Sequence, residues 1–160
     1  MPCAEPGADV DALTDALLTA SRLMVAVSGR SISAVENSLT PPQFRLLVVL
    51  DRHGPLRHAD LAGFLGVTPS ATSRMVGRMV AAGFVDRRRS SASRREIVLE
   101  LNHDGARLVR RSTTRRRREI ARIVTKMPEE HRHRLVEALT AFTQAGSEHP
   151  VDGDTGAIWG

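Results

Sequence analysis

The residues best placed to do chemistry lie in Val67-Thr68-Pro69-Ser70-Ala71-Thr72-Ser73-Arg74-Met75-Val76-Gly77-Arg78-Met79. Thr68 followed by Pro69 opens a helix, because the threonine hydroxyl can cap orphan amides and proline has no N–H to lose in the first turn. Met75, Val76, Met79 and Val80 fall at helical spacing and form an apolar face. Ser70, Ser73, Arg74, Gly77 and Arg78 make the other face, which is small or basic. Short hydroxyls and guanidiniums on one helix face are the groups that hydrogen-bond phosphates and base edges in a DNA major groove. Thr68, Ser70, Thr72, Ser73, Arg74 and Arg78 are therefore the candidate contacts. Arg74 is the candidate for base readout, and Arg78 either joins it or braces the surrounding fold through an acid.

The neighbouring elements suit that task. His58 to Leu65 reads as a shorter helix with Leu61, Ala62 and Leu65 inward, and Gly66-Val67-Thr68 is a tight turn, which together make a helix-turn-helix. Gly83 closes the second helix in the manner of a left-handed cap. Phe84 to Arg87 and Glu96 to Leu101 read as strands, the second alternating Ile97, Leu99 and Leu101. Between them runs Arg88-Arg89-Ser90-Ser91-Ala92-Ser93-Arg94-Arg95, a basic wing whose Arg94 and Arg95 are further candidate DNA contacts. A solvated hairpin on a three-helix core is the competing reading; the order of elements and the placement of charge favour DNA.

Long helices flank this unit. Val10 to Val35 carries an apolar stripe, with Gly29 a place where it can bend. Thr40 and Gln43 have capping-box spacing ahead of a helix from Pro41 to Arg52. Asn102 can cap a fifth helix running to about Lys126, and Pro128 opens a sixth with Leu135, Ala138, Leu139 and Phe142 as its stripe. The expected fold is mainly α with a small β-hairpin wing: a winged helix-turn-helix lobe over 40–102 between dimerisation helices at 9–37 and 103–146. Residues 1–8 and 147–160 read as flexible ends, although Ile158-Trp159 could dock. The apolar stripes of the first and last helices exceed what one lobe can cover, which points to a two-fold homodimer.

Composition narrows the function. The chain has 160 residues, a net charge of +5, 41% hydrophobic residues and 3% aromatic ones. So few rings exclude a base-stacking platform for single strands. From Arg74 to Arg118 there are about fourteen arginines against about four acids, so the positive charge is concentrated where the helix-turn-helix and wing lie. Lys126 is the only lysine. No apolar run approaches the roughly 18 residues of a membrane span, and Met1 to Gly7 has no signal-peptide character, so no membrane association is expected. The single cysteine, Cys3, cannot form an internal disulfide, which makes a reducing cytoplasm the expected compartment, and no nearby cation would activate its thiol. His131 and His133 stand two apart and point in different directions, so they are not a helical metal pair. No nucleophile elbow, phosphate loop or carboxylate pair appears; no enzyme, metal or cofactor is expected.

Arg115-Arg116-Arg117-Arg118 sweeps most of the way round the fifth helix, so at least one guanidinium must point towards the first helix or the cleft beside it. Three readings stand: pairing with an acid such as Asp11, Asp15 or Glu36, extension of the DNA-facing surface, or a hold on an anionic effector.

Leu39-Thr40-Pro41-Pro42-Gln43-Phe44-Arg45-Leu46-Leu47, His58-Ala59-Asp60-Leu61-Ala62, and Ser73-Arg74-Met75-Val76-Gly77-Arg78-Met79 running on to Gly83-Phe84-Val85-Asp86-Arg87 resemble the multiple-antibiotic-resistance-regulator (MarR) family of bacterial transcription factors. The resemblance covers roughly Asp9 to Ala145. It implies a dimer built by the first, fifth and sixth helices, with two winged lobes on a pseudo-palindromic operator in double-stranded DNA, acting most simply as a repressor. It also implies an effector cleft where Leu23, Met24, Val27, Phe44, Leu108 and Arg111 converge, suited to a small aromatic or amphipathic anion. In one place the chain departs from the family: the wing usually carries Asp-x-Arg, and here Ser93 replaces the acid that would orient Arg95. An architectural DNA-coating protein without an effector is the alternative, and a protein-binding winged helix a third.

Overall fold

The computed structural model describes residues 6–90 and 96–147. Cys3, Arg94 and Arg95 with Ser93, and Ile158-Trp159 lie outside the described residues. The elements in chain order are α1 (Pro6–Ser33), α2 (Pro41–His53), β1 (Leu56–Arg57), α3 (His58–Leu65), α4 (Pro69–Ala81), β2 (Val85–Arg89), β3 (Ile97–Leu101), α5 (His103–Val124) and α6 (Glu129–Ser147). Helix α1 begins before the expected start, so Pro6, Gly7 and Ala8 are helical rather than part of a flexible end, and it passes through Gly29 without a break. Ser147 likewise ends α6 instead of opening a tail.

Local chemistry sets the helix ends. The Thr40 N–H donates to Gln43 Oε1 at 2.9 Å, one half of the expected capping box. Helix α4 ends in a Schellman arrangement: Phe84 N–H reaches the Met79 carbonyl at 3.0 Å and Gly83 N–H the Val80 carbonyl at 3.0 Å, with Gly83 at φ +79°. Asn102 caps α5 by accepting from Gly105 N–H at 2.9 Å, and its amide donates to the Gly83 carbonyl at 2.8 Å. One side chain thus joins the end of α4 to the start of α5.

The core sits inside the lobe. Leu46, Leu47 and Leu50 of α2 meet Leu61 and Leu65 of α3, Val76 and Met79 of α4, and Val85 and Leu99 of the sheet, all buried. A Leu-to-Ala change at such a site costs about 2–5 kcal/mol. The sheet has three antiparallel strands in the order β1-β3-β2. Strand β1, only two residues long, pairs Leu56 with Leu99 and Arg57 with Val98; it is too short to show a period in the sequence. Strand β2 runs on to Arg89, so Arg88 and Arg89 are ladder residues instead of wing loop. Ile97 was expected to face inward with Leu99 and Leu101, but it is 60% exposed. It pairs with Arg89 at the far end of the hairpin, beyond the reach of the helices.

Helix α5 leaves the lobe and lies along α1. Val27, Ser28, Ser31 and Ile32 of α1 face Leu108, Val109 and Ser112 of α5, all of them buried. Small residues let the two backbones approach closely, and Arg30 binds Glu119 through Nε at 2.8 Å and through Nη2, a tie across the same seam. Helix α6 is held at its start, where Arg132 donates to the carbonyls of Met127 (2.9 Å) and Thr125 (3.1 Å). Beyond that its apolar residues, Leu135, Val136, Leu139 and Phe142, are exposed, as are Val10, Leu13 and Leu18 of α1. Among the described residues no helix is long and apolar enough to cross a membrane, and no cluster of three potential metal ligands occurs.

Candidate nucleic-acid interface

Two clamps fix the turn that aims α4. Arg45 of α2 donates to the carbonyls of Leu65 and Phe64 at 3.2 Å each, satisfying orphan acceptors at the end of α3. Gly66 then takes the left-handed conformation at φ +64°, which favours glycine. His53 stacks on Phe64 with ring centroids 4.1 Å apart, holding α2 to the same end of α3.

The sequence places six candidates on or beside α4, and the fold separates them. Thr68, Ser70, Ser73, Arg74 and Arg78 are exposed. Thr68 Oγ1 accepts from the Ala71 N–H at 3.3 Å and lies 3.2 Å from Ser70 Oγ. That leaves a hydroxyl pair beside the Ser70 amide at the start of α4, since Pro69 has no N–H and Ala71 and Thr72 donate to Thr68. Thr72 is the exception. It is fully buried, and its Oγ1 donates to the Thr68 carbonyl at 3.1 Å. The inner stripe of α4 is Thr72, Val76 and Met79, spaced four and three, with Met75 and Val80 half-buried at its edges. A β-branched side chain that satisfies its own hydroxyl within the helix fills a core position, so Thr72 is removed from the contact set.

Arg78 has no acid partner among the described residues, and the brace considered for it is absent. A residue that sequence reading missed stands nearby: His58, at the start of α3, has its Nε2 3.2 Å from Ser73 Oγ. Fifteen positions separate the two, and no local pattern announces the contact. It restricts the Ser73 hydroxyl and places an imidazole on the rim of the same face.

The base of the wing is an ion-pair lattice. Arg57 donates to Asp60 at 2.8 Å and to Glu96 at 3.3 Å, and the Asp60 and Glu96 carboxylates raise its pKa. Arg88 pairs with Glu100 across the hairpin. Arg87 and Arg89 alternate with Arg88 on β2 and are exposed without acid partners among the described residues. They add exposed positive charge along β2.

The six residues expected to line an effector cleft do not line one cavity. Leu23 and Met24 are 45% and 41% exposed on α1, and Val27 is buried in the α1–α5 seam. Leu108 and Arg111 border an opening shared with Val35 and Glu36. Phe44 instead borders a recess on the opposite flank of α5, with Ser28, Ile32, Ser112 and Arg116. The basic residue that faces Phe44 is thus Arg116, one member of the four-arginine run, and not Arg111. Helical geometry explains the split: residues 112 and 116 share a face with the buried seam, while 111, 115 and 118 turn away from it. The recess has no room for a water molecule as it stands. Ser28 Oγ is buried there without a hydrogen-bond partner. Burial also lowers the pKa of Arg116 below its ordinary value.

Residues 39–97 match the model of the MarR family. The chain is 53% identical to RV1404 from Mycobacterium tuberculosis, whose crystal structure superposes with a TM-score of 0.82 over 91% of this chain and 98% of that one. It is 26% identical over 107 residues to the HTH-type transcriptional regulator YfiV of Bacillus subtilis, 67% of each chain. To the transcriptional repressor MdtR of the same organism it is 28% identical over 94 residues, 58% of this chain and 61% of the relative. The winged helix-turn-helix geometry and these matches agree: the chain belongs to the MarR family of DNA-binding transcriptional regulators.

Proposed function

We propose that the chain is a sequence-specific repressor that binds a pseudo-palindromic operator as a homodimer and is released by a small amphipathic anion. One observation carries the reading: Ser70, Ser73, Arg74 and Arg78 stand exposed on a helix whose opposite stripe, Thr72, Val76 and Met79, is locked into the core. Polar groups held so rigidly can enter a major groove with little ordering cost. Exposed stripes on α1 and α6 support the dimer, because isolated apolar patches of that size seek cover. Two-fold symmetry then sets the two α4 helices about one DNA turn apart. The sign of regulation follows the relative MdtR, which is a repressor. The division into a lobe over 40–102 and dimerisation helices on either side belongs to the same proposal. So does the cytoplasm as the compartment, since that is where a bacterial operator lies.

The effector reading moves to the recess beside Phe44. A buried hydroxyl without a partner costs about 1–3 kcal/mol, and a half-buried guanidinium lacks a counter-charge there. A ligand with an aromatic body and one carboxylate or phenolate would satisfy both. Because the recess is too narrow for a water molecule, a ligand must part α5 from α1 and α2 to enter, and that motion shifts the lobe against the dimerisation helices. Such a ligand releases DNA only if it binds the shifted form more tightly. Footprinting of the DNA flanking the chain's own gene tests the whole reading. A short protected palindrome is the expected result; uniform, salt-sensitive protection would identify an architectural coating protein instead.

A further inference from the structure

The outer flank of α5 is unlike the recess just described. Arg111, Arg115 and Arg118 are spaced four and three residues apart, so they line one side of the helix over about 10 Å of rise. With Arg110 they border an open groove of about 380 Å³ whose apolar wall is Ala34 and Val35, in the turn that follows α1. All four guanidiniums are exposed, and among the described residues none has an acid partner. The acids of α5 are already engaged. Asp104 holds Arg107 at 2.9 Å, and Glu119, which borders the next recess along the flank, is held by Arg30. Thr114 adds a neutral hydroxyl among the charges.

We propose that this groove binds a small molecule carrying three or more negative charges, either linked phosphates or several carboxylates. Guanidinium forks match both groups in bidentate geometry, and three of them along one line suit a ligand with charges in series, whereas a lone carboxylate would engage one. The volume lies within the range of small-molecule sites. No residue of α4, β2 or β3 borders the groove, so it is separate from the surface assigned to DNA. It also lies across the α1–α5 seam from the Phe44 recess and therefore does not depend on the effector reading.

The test uses the full chain with sodium tripolyphosphate and with citrate, measured by calorimetry and by thermal shift against sodium chloride of equal ionic strength. Saturable binding of at least one, with a rise in melting temperature beyond the chloride control, is expected. The double variant Arg115→Gln/Arg118→Gln should weaken that binding at least about tenfold, the scale of losing charge-assisted hydrogen bonds. Arg22→Gln, which removes an equal kind of charge from the exposed face of α1, should leave the binding unchanged. Far-ultraviolet circular dichroism should give the double variant the wild-type helix content. A response no larger than chloride gives, or one equal in wild type and double variant, overturns the site. So does a double variant that changes oligomeric state, which makes the groove a subunit contact. An equal loss of affinity for random-sequence duplex also overturns it, since that makes the groove a DNA surface.

Discussion

Ser28 and Arg116 border the same narrow recess between α1 and α5, and among the described residues neither side chain has a hydrogen-bond partner there. A base whose folded pKa lies below its unfolded one costs stability wherever it is charged in both states, which for an arginine covers the whole physiological range. Fold stability alone does not account for such a residue. Salicylate is therefore expected to bind the wild-type protein, and Arg116→Gln to weaken it by about tenfold, while leaving the melting temperature unchanged or higher. Reciprocity adds a sharper demand: operator DNA must weaken salicylate binding by the factor with which salicylate weakens operator binding. Calorimetry with and without operator measures both. Equal affinities in the two titrations would rule out the switch even for a tight ligand.

Gly105 gives a stability prediction. A Cβ there would lie 2.3 Å from the Phe84 carbonyl oxygen and 2.6 Å from Leu101 Cδ1. The backbone oxygen has little freedom to move, because it also accepts from Asn102 N–H at 3.2 Å. Gly105→Ala should lose about 1–3 kcal/mol in urea unfolding, as overpacked sites do. Gly77 is the control, a mid-helix glycine with nothing within 4 Å of its virtual Cβ; Gly77→Ala should gain about 0.5–1 kcal/mol. Equal effects from the two changes would contradict the packing described at the α4–α5 joint.

The wing prediction concerns residues outside the described set. Arg95→Ala should weaken operator binding. Ser93→Asp should strengthen it or leave it unchanged, by supplying an acid that orients Arg95. Fluorescence anisotropy on a labelled operator checks both. If Ser93→Asp is as harmful as Arg95→Ala, repulsion from phosphate outweighs orientation and the account of the wing fails.

The dimer prediction concerns α6. Leu139 and Phe142 are 45% and 55% exposed in the isolated chain, one helical turn apart. Charged residues placed there by Leu139→Glu/Phe142→Glu should convert a dimer into a monomer in light scattering, because unpaired carboxylates in an apolar contact are costly. Operator affinity should fall with it. A wild-type monomer, or a double variant that stays dimeric, would contradict the proposed interface.

Periodicity and capping made most of the lobe legible. The His58–Leu65 helix has the predicted bounds, and Thr68, Gly83 and Asn102 each act at the helix end where their chemistry placed them. Other features needed tertiary contacts to decide them. Thr72 reads as a surface hydroxyl in the sequence, yet it is buried on the same stripe of α4 as Val76 and Met79. Strand β1 exists only because β3 lies beside it. Along Arg115 to Arg118 the sequence required one guanidinium to turn inward, yet nothing local could name Arg116, since that depends on where α1 crosses α5. Ser73 and His58 meet across a turn that no spacing rule covers.

The central claim is that α4 reads bases, and Arg74→Ala tests it most directly. Affinity should be measured for an operator and for a random duplex of equal length at one salt concentration. The account predicts a loss of about 1–3 kcal/mol on the operator, roughly five- to 150-fold, and a much smaller loss on the random duplex. Equal losses on both would make Arg74 a phosphate contact and contradict base readout by this face of α4.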